Sequence, residues 1–269
     1  MVSPLDVWTT FSAVRERGPL VHNITNYVAM DLSANALLAA GASPAMVHAQ
    51  DEAADFARIA DAVVINIGTL SPPWVEAMHD AAGTAAERGI PWILDPVGVG
   101  ATPYRTKTAT DLLDRNPSVV RGNASEILAL AGAAAGGKGV DSTHEAADAA
   151  DAARELAART GGIVAVTGVA DLVTDGRTVV TVYGGHPLMS RITALGCAAS
   201  ALVGAFNAVE ADRLMATAAA LAVLGLAGER AAADSPGPGT LRLRILDELH
   251  TLDRPTVHEG ARLVTGDQE

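Results

Sequence analysis

Polar residues able to do chemistry recur at one kind of place in this chain, directly after a β-branched run. Gly68-Thr69 follow AVVINI, Asp95-Pro96 follow WIL, Arg121-Gly122-Asn123 follow SVV, and Thr167-Gly168 follow IVAV. In an open α/β sheet, ligands bind beyond the carboxyl ends of the strands, so these positions fall on one rim. A carboxylate, a guanidinium, hydroxyls and flexible glycines form the kit for a metal-bound anionic ligand. Asp95 is a candidate Mg²⁺ ligand. Glu126, three residues after Asn123 in RGNASEI, has two readings. It completes a capping box at a helix start, or it supplies a second acid for magnesium, which prefers one or two carboxylates plus waters and phosphates.

Cys197, the single cysteine, lies in RITALGCAASALVGAF, between a glycine and a run of small residues that reads as a helix start. It is either a small buried hydrophobe, or a thiol whose pKa a helix N-terminus lowers beside backbone N–H groups suited to an anion. The polar cluster His22-Asn23-Ile24-Thr25-Asn26 reads locally as a turn that caps a following helix. Two phosphate-loop signals fail. Residues 132–138 fit GxxxxGK but Gly139 replaces the Ser or Thr, which leaves a flexible loop, and Gly98-x-Gly100 lacks the third glycine of GxGxxG. HExxH, paired Cys/His spacings and GxSxG are all missing from the sequence.

The elements that must carry these residues alternate. Strands are expected at 62–67, 92–95, 118–121, 163–167 and 178–183. Helices are expected at 28–40, 52–60, 73–88, 124–131 and 143–157, with a mostly helical chain from Gly196 onward that includes 214–233. This is the pattern of βαβ units in one α/β domain over residues 1–269. With 49% hydrophobic residues the 269-residue chain can bury a large core, and with only 3% aromatics that core must be Val/Ile/Leu packed against alanine and glycine. A net charge of −12 argues against a nucleic-acid partner. One cysteine and no evident leader make the cytoplasm the expected compartment. The charge-free stretches 32–50 and 192–209 are broken by GASP or by polar residues, so no membrane span is expected.

The segments VHNITNYVAM, GASPAM, INIGTL, ILDPVGVGATPYRT, RGNASEI, VTG and the stretch ending in GC, in this order, resemble the hydroxyethylthiazole kinase family. The resemblance runs from about Val21 to Val209, with GPGT similar to a late glycine turn of the family. It implies a ribokinase-like fold, a three-layer α/β/α sandwich on a mostly parallel sheet, with ATP and substrate at its carboxyl edge. It implies phosphorylation by ATP of the primary alcohol of 5-(2-hydroxyethyl)-4-methylthiazole, in thiamine biosynthesis or salvage. It further implies a homotrimer with active sites between subunits.

Carried over by position, Asp95 and Glu126 organise Mg²⁺, Arg121, Thr167 and Gly168 contact ATP, and Met46 meets the thiazole, with Asn26, Gly68, Thr69 and Ala194 lining that pocket. Gly196 and Cys197 match the anion hole, and Cys197 stands where the wider group has a catalytic aspartate, as a base or an orienting group without a covalent intermediate. The family usually reads Gly-x-Gly-Cys where this chain has Ala194-Leu195-Gly196-Cys197. The Ala194 methyl is expected to close positive φ angles there. The alternatives are a kinase of the same fold for another hydroxyalkyl heterocycle, such as a pyrimidine alcohol, and a non-catalytic thiazole- or nucleotide-binding homologue.

Overall fold

The computed structural model describes residues 3–134 and 145–267. Most of the expected GxxxxGK loop therefore lies outside the described residues. The strands are β1 Leu20–Ile24, β2 Ser43–Ala45, β3 Ala62–Asn66, β4 Trp92–Asp95, β5 Val119–Asn123, β6 Ile163–Thr167, β7 Ala170–Thr174, β8 Thr178–Tyr183 and β9 Arg262–Asp267. The helices are α1 Pro4–Arg17, α2 Met30–Ala40, α3 Gln50–Ile59, α4 Pro72–Arg88, α5 Pro103–Leu113, α6 Ala124–Ala134, α7 Glu145–Thr160, α8 Leu195–Val209, α9 Arg213–Ala232, α10 Pro238–Thr251 and α11 Arg254–Gly260.

All described strands join one sheet in the order β2-β1-β3-β4-β5-β6-β7-β8-β9. The first six are parallel, and β7, β8 and β9 extend the sheet by antiparallel pairings. The central strands are buried on both faces, which is why they read as continuous Val/Ile/Leu runs. One face is covered by α1, α2 and α8–α11 and the other by α3–α7, giving two apolar cores and three layers, the expected ribokinase-like sandwich.

Four strands and two helices go beyond the expected set. β1 carries His22 and Asn23, which hide it among polar residues, so HNI is strand rather than part of a capping turn. β2 is only three residues long, β7 is a short hairpin partner, and β9 adds a strand after the four helices of the mostly helical stretch expected from Gly196 onward. The helices α1 and α5 open on Ser3 and Thr102 as N-caps, each followed by proline. α9 is the one described helix long and apolar enough to cross a membrane, and most of it is buried inside the fold.

The helix that bears Cys197 touches the sheet with its backbone. A Cβ at Gly204 would lie 2.7 Å from Val64 Cγ2 and 3.2 Å from Val21 Cγ1. Gly204→Val should therefore lift α8 from β1 and β3 and destabilise the protein by about 1–3 kcal/mol, read as a lower denaturation midpoint at unchanged slope.

Candidate active site

The parallel register sets the site's first contact by placing Asn66 opposite Asp95. Asn66 Nδ2 donates to Asp95 Oδ2 at 2.7 Å, and Ser200 Oγ, from α8, donates to the same oxygen at 2.8 Å. Asn66 Oδ1 accepts from Asn26 Nδ2 at 2.9 Å and from the Gly68 N–H at 2.9 Å. Asn26 Nδ2 also donates to Cys197 Sγ at 3.3 Å. A Cβ at Gly68 would come within 2.6–2.8 Å of the Asn26 side chain, so glycine is what lets Asn26 reach this row. Thr69 Oγ1 accepts from the Tyr27 N–H, tying the chain after β3 to the chain after β1.

Asp95 is fully buried, and its Oδ1 has no hydrogen-bond partner among the described residues. Burial raises its pKa to about 6; Arg121 pulls it back, while the negative charge of Glu126 pushes it further up. Glu126 completes the expected capping box, exchanging hydrogen bonds with Asn123: Glu126 Oε2 accepts the Asn123 N–H at 2.9 Å and Asn123 Oδ1 accepts the Glu126 N–H at 2.9 Å. Its other oxygen accepts the Gly98 N–H at 3.0 Å, which anchors the turn after Asp95. The capping reading of Glu126 is thus the one these hydrogen bonds display.

Cys197, half-buried in the first turn of α8, does not gain an acidic thiol from the helix start. Burial pushes its pKa up to about 11, and the charge of Asp95 adds to the rise; together they outweigh the hydrogen bonds from Asn26 and Asn66 and the charge of Arg121. Ala194, the N-cap, sits at φ 65°, so the left-handed turn persists despite the methyl, contrary to expectation, at a cost of about 1–2 kcal/mol. Gly196 is needed for a different reason, because a Cβ there would lie 2.9 Å from Arg121 Nη1.

Arg121 donates to Thr167 Oγ1, while its Nε has no partner among the described residues. Arg121, Thr167, Gly168 and Gly196 line a cavity of about 780 Å³ between the β6–β7 turn, residues 184–192 and α9. The Gly168 N–H is already given to Asp171 Oδ1 at 2.9 Å, so this glycine can offer a ligand shape but no free donor. The 184–192 segment is held by Met189, whose Sδ fills a notch that any Cβ at Gly228 would close.

The structure thus brings together Asn26, Gly68, Asp95, Arg121, Thr167, Gly196 and Cys197, with Glu126 beside them and Thr69 bracing the rim. Met46, just after β2, stands at the outer end of the same rim, away from the hydrogen-bonded row. Sequence reasoning missed three contributors. Asn66 is the polar residue in AVVINI, and Ser200 lies three residues after Cys197 on the sheet-facing side of α8. Arg105 joins the loops after β3 and β4 by donating to the carbonyls of Ile67, Val97 and Gly68 at 2.7, 2.9 and 2.7 Å.

The family model for the hydroxyethylthiazole kinase family matches residues 11–255. The chain belongs to this family. It is 52% identical to a hydroxyethylthiazole kinase of Syntrophus aciditrophicus over 99% of both chains, and 55% identical to one of Granulibacter bethesdensis over 93% of this chain and 92% of the relative. The solved structure of a hydroxyethylthiazole kinase protein from Pyrococcus horikoshii OT3 superposes with a TM-score of 0.90 at 42% identity, covering 97% of this chain and 99% of that one. A pyridoxal kinase from Staphylococcus aureus, solved in complex with pyridoxal, shares the fold at a TM-score of 0.58 and 17% identity, over 78% of this chain and 88% of that one.

Two outcomes follow from the charges in this kinase-family site. With its folded pKa raised from 3.8 to about 6, Asp95 holds its proton longer in the native state than in the unfolded one. Its contribution therefore falls as pH rises from about 4 to 6, by on the order of 2–3 kcal/mol. Asp95→Asn should remove that fall and melt above the wild type at pH 7.5 in metal-free buffer. For Cys197, iodoacetamide alkylation of the native protein should still be climbing steeply at pH 9.

Proposed function

We propose that this chain transfers the γ-phosphoryl group of ATP to the primary alcohol of 5-(2-hydroxyethyl)-4-methylthiazole, the thiazole half of thiamine, in thiamine biosynthesis or salvage. The observation that carries this reading is the junction of two features. The guanidinium of Arg121 and the opening turn of α8 meet at Gly196 on the wall of the large cavity, and the polar row from Asn26 to Asp95 lies beside them. A helix N-terminus and an arginine together suit a phosphate chain. The cavity would take the nucleotide, with Thr167 and Gly168 shaping it, and the alcohol would lie toward Met46, Asn26, Gly68, Thr69 and Ala194.

In the transfer, the alcohol oxygen bonds to the γ-phosphorus and gives up its proton to solvent, the bond to the β–γ bridging oxygen breaks, and ADP leaves with that electron pair. Arg121 and the α8 N–H groups of Gly196 and Cys197 stabilise the moving charge, the dominant contribution in a loose transition state. Cys197 remains a thiol at neutral pH, so its role is to orient the hydroxyl rather than to ionise it. Asn26 fixes the sulfur.

The residues present fit Mg²⁺. Asp95 offers a buried oxygen with no partner among the described residues, and Glu126 offers lone pairs on a carboxylate already steered by two backbone N–H groups. Bound by these acids, the ion would offset phosphate charge. We assign the reaction to a single domain spanning the chain, acting in the cytoplasm as a homotrimer with sites between subunits. The trimer reading draws support from Tyr27 and Val28, 69% and 59% exposed next to Asn26.

ADP release should require both ATP and hydroxyethylthiazole, with the product heavier by one phosphoryl group. Turnover of a pyrimidine alcohol instead would redirect the substrate assignment, and thiazole binding without ADP release would mark a non-catalytic homologue. Cys197→Ser should lower kcat by roughly tenfold to a hundredfold, the scale of a misoriented reacting group, with an unchanged melting temperature. Glu126→Ala should raise the magnesium concentration needed for half-maximal rate.

A further inference from the structure

The β1–β2 ladder ends at the pair His22 and Ala45, after which the chain leaves the sheet through Met46, Val47 and His48. Two imidazoles take over where the ladder stops. His22 is completely buried, and its Nε2 lies 2.9 Å from the Val47 carbonyl. A carbonyl only accepts, so Nε2 carries the proton and Nδ1 is left as an acceptor, buried without a partner among the described residues. His48 makes the reciprocal tie, its Nε2 accepting the Thr25 N–H at 3.4 Å. Burial holds both rings toward the neutral form, and the His48 tie needs it because only an unprotonated Nε2 can accept.

These ties bracket Met46. The His48 ring stacks on Trp74 at 4.5 Å, and Trp74 meets Tyr27 at 4.8 Å, so the segment after β2 is joined to the first turn of α4 and to the chain just after Asn26. A buried acceptor left unpaired is costly, so a side chain needed only to fill this space would be better made of carbon. We propose that His22, acting with His48, is a positioning residue for the alcohol side of the site. Its buried ring holds the Met46–Val47–His48 segment against β1 and thereby sets affinity for the heterocyclic alcohol. This inference rests on the functional reading above.

The test compares His22→Leu, which fills the space without a donor, with His22→Gln, which keeps an N–H at similar reach. Steady-state constants for both substrates are measured together with hydrogen–deuterium exchange over residues 46–50. His22→Leu should raise KM for hydroxyethylthiazole about tenfold, the scale of one lost hydrogen bond. KM for ATP and kcat should stay within about twofold, with faster exchange over 46–50. His22→Gln should recover most of both effects. Should His22→Leu fail to fold, His48→Phe keeps the stack on Trp74, removes the acceptor, and should raise the same KM. An alcohol KM unchanged in the folded variants, an equal rise in KM for ATP, or a glutamine variant no better than leucine overturns the inference while the kinase assignment stands. A wild-type protein that neither binds nor phosphorylates hydroxyethylthiazole overturns both.

Discussion

A carboxylate shut away from water has to be held from several sides, and Asp95 is held by three separate parts of the chain. Its own strand brings it to the sheet's edge, Asn66 reaches it from the neighbouring strand, and Ser200 reaches it from α8. Only two of its acceptor positions are used, both on one oxygen, so the fold keeps an anion that is desolvated but not satisfied. The raised pKa expresses that imbalance. A cationic ligand is the direct way to correct it, and Arg121 by itself corrects it only in part.

The same constraint explains the thiol. Burial drives the Cys197 thiol away from ionisation, and Cys197 lies near enough to Asp95 for that charge to add to the rise. What remains is a neutral, polarisable group fixed by Asn26 in the opening turn of α8. The glycine notches serve this arrangement. Gly204 lets α8 lie on the sheet, Gly196 admits the Arg121 guanidinium, and Gly68 admits Asn26. Ala194 keeps the left-handed turn that a glycine would adopt more easily, so its methyl costs strain without changing the backbone path.

Much of this was legible in the order of residues. Strands buried on both faces announce themselves as AVVINI, WILD, SVVR and IVAVT, and the last three of these carry Asp95, Arg121 and Thr167. The missed elements fail that test for physical reasons. β1 holds His22 and Asn23 in its interior, β2 is a three-residue edge, and β9 is a hydrogen-bonded edge strand that includes Gly266. Asn66 and Ser200 escaped because their importance lies in register and in helix phase. Asn66 matters because β3 pairs with β4 at Asp95, and Ser200 because it is one turn beyond Cys197. The reversal of the Cys197 pKa also lay beyond sequence, since it depends on how deeply the thiol is buried and on how close a carboxylate 102 positions earlier comes to rest.

The central claim is that Asp95 is a buried, incompletely satisfied carboxylate waiting for a cation-bearing ligand. The most direct measurement is a carbon-13 titration of the Asp95 carboxyl, assigned by comparison with Asp95→Asn, in metal-free protein and again with Mg²⁺ and a non-hydrolysable ATP analogue. The predicted result is a midpoint near 6 in the free protein that drops into or below the ordinary carboxylate range when magnesium and nucleotide are added together. An ordinary midpoint in the free protein, or a raised one that magnesium nucleotide leaves in place, would contradict it.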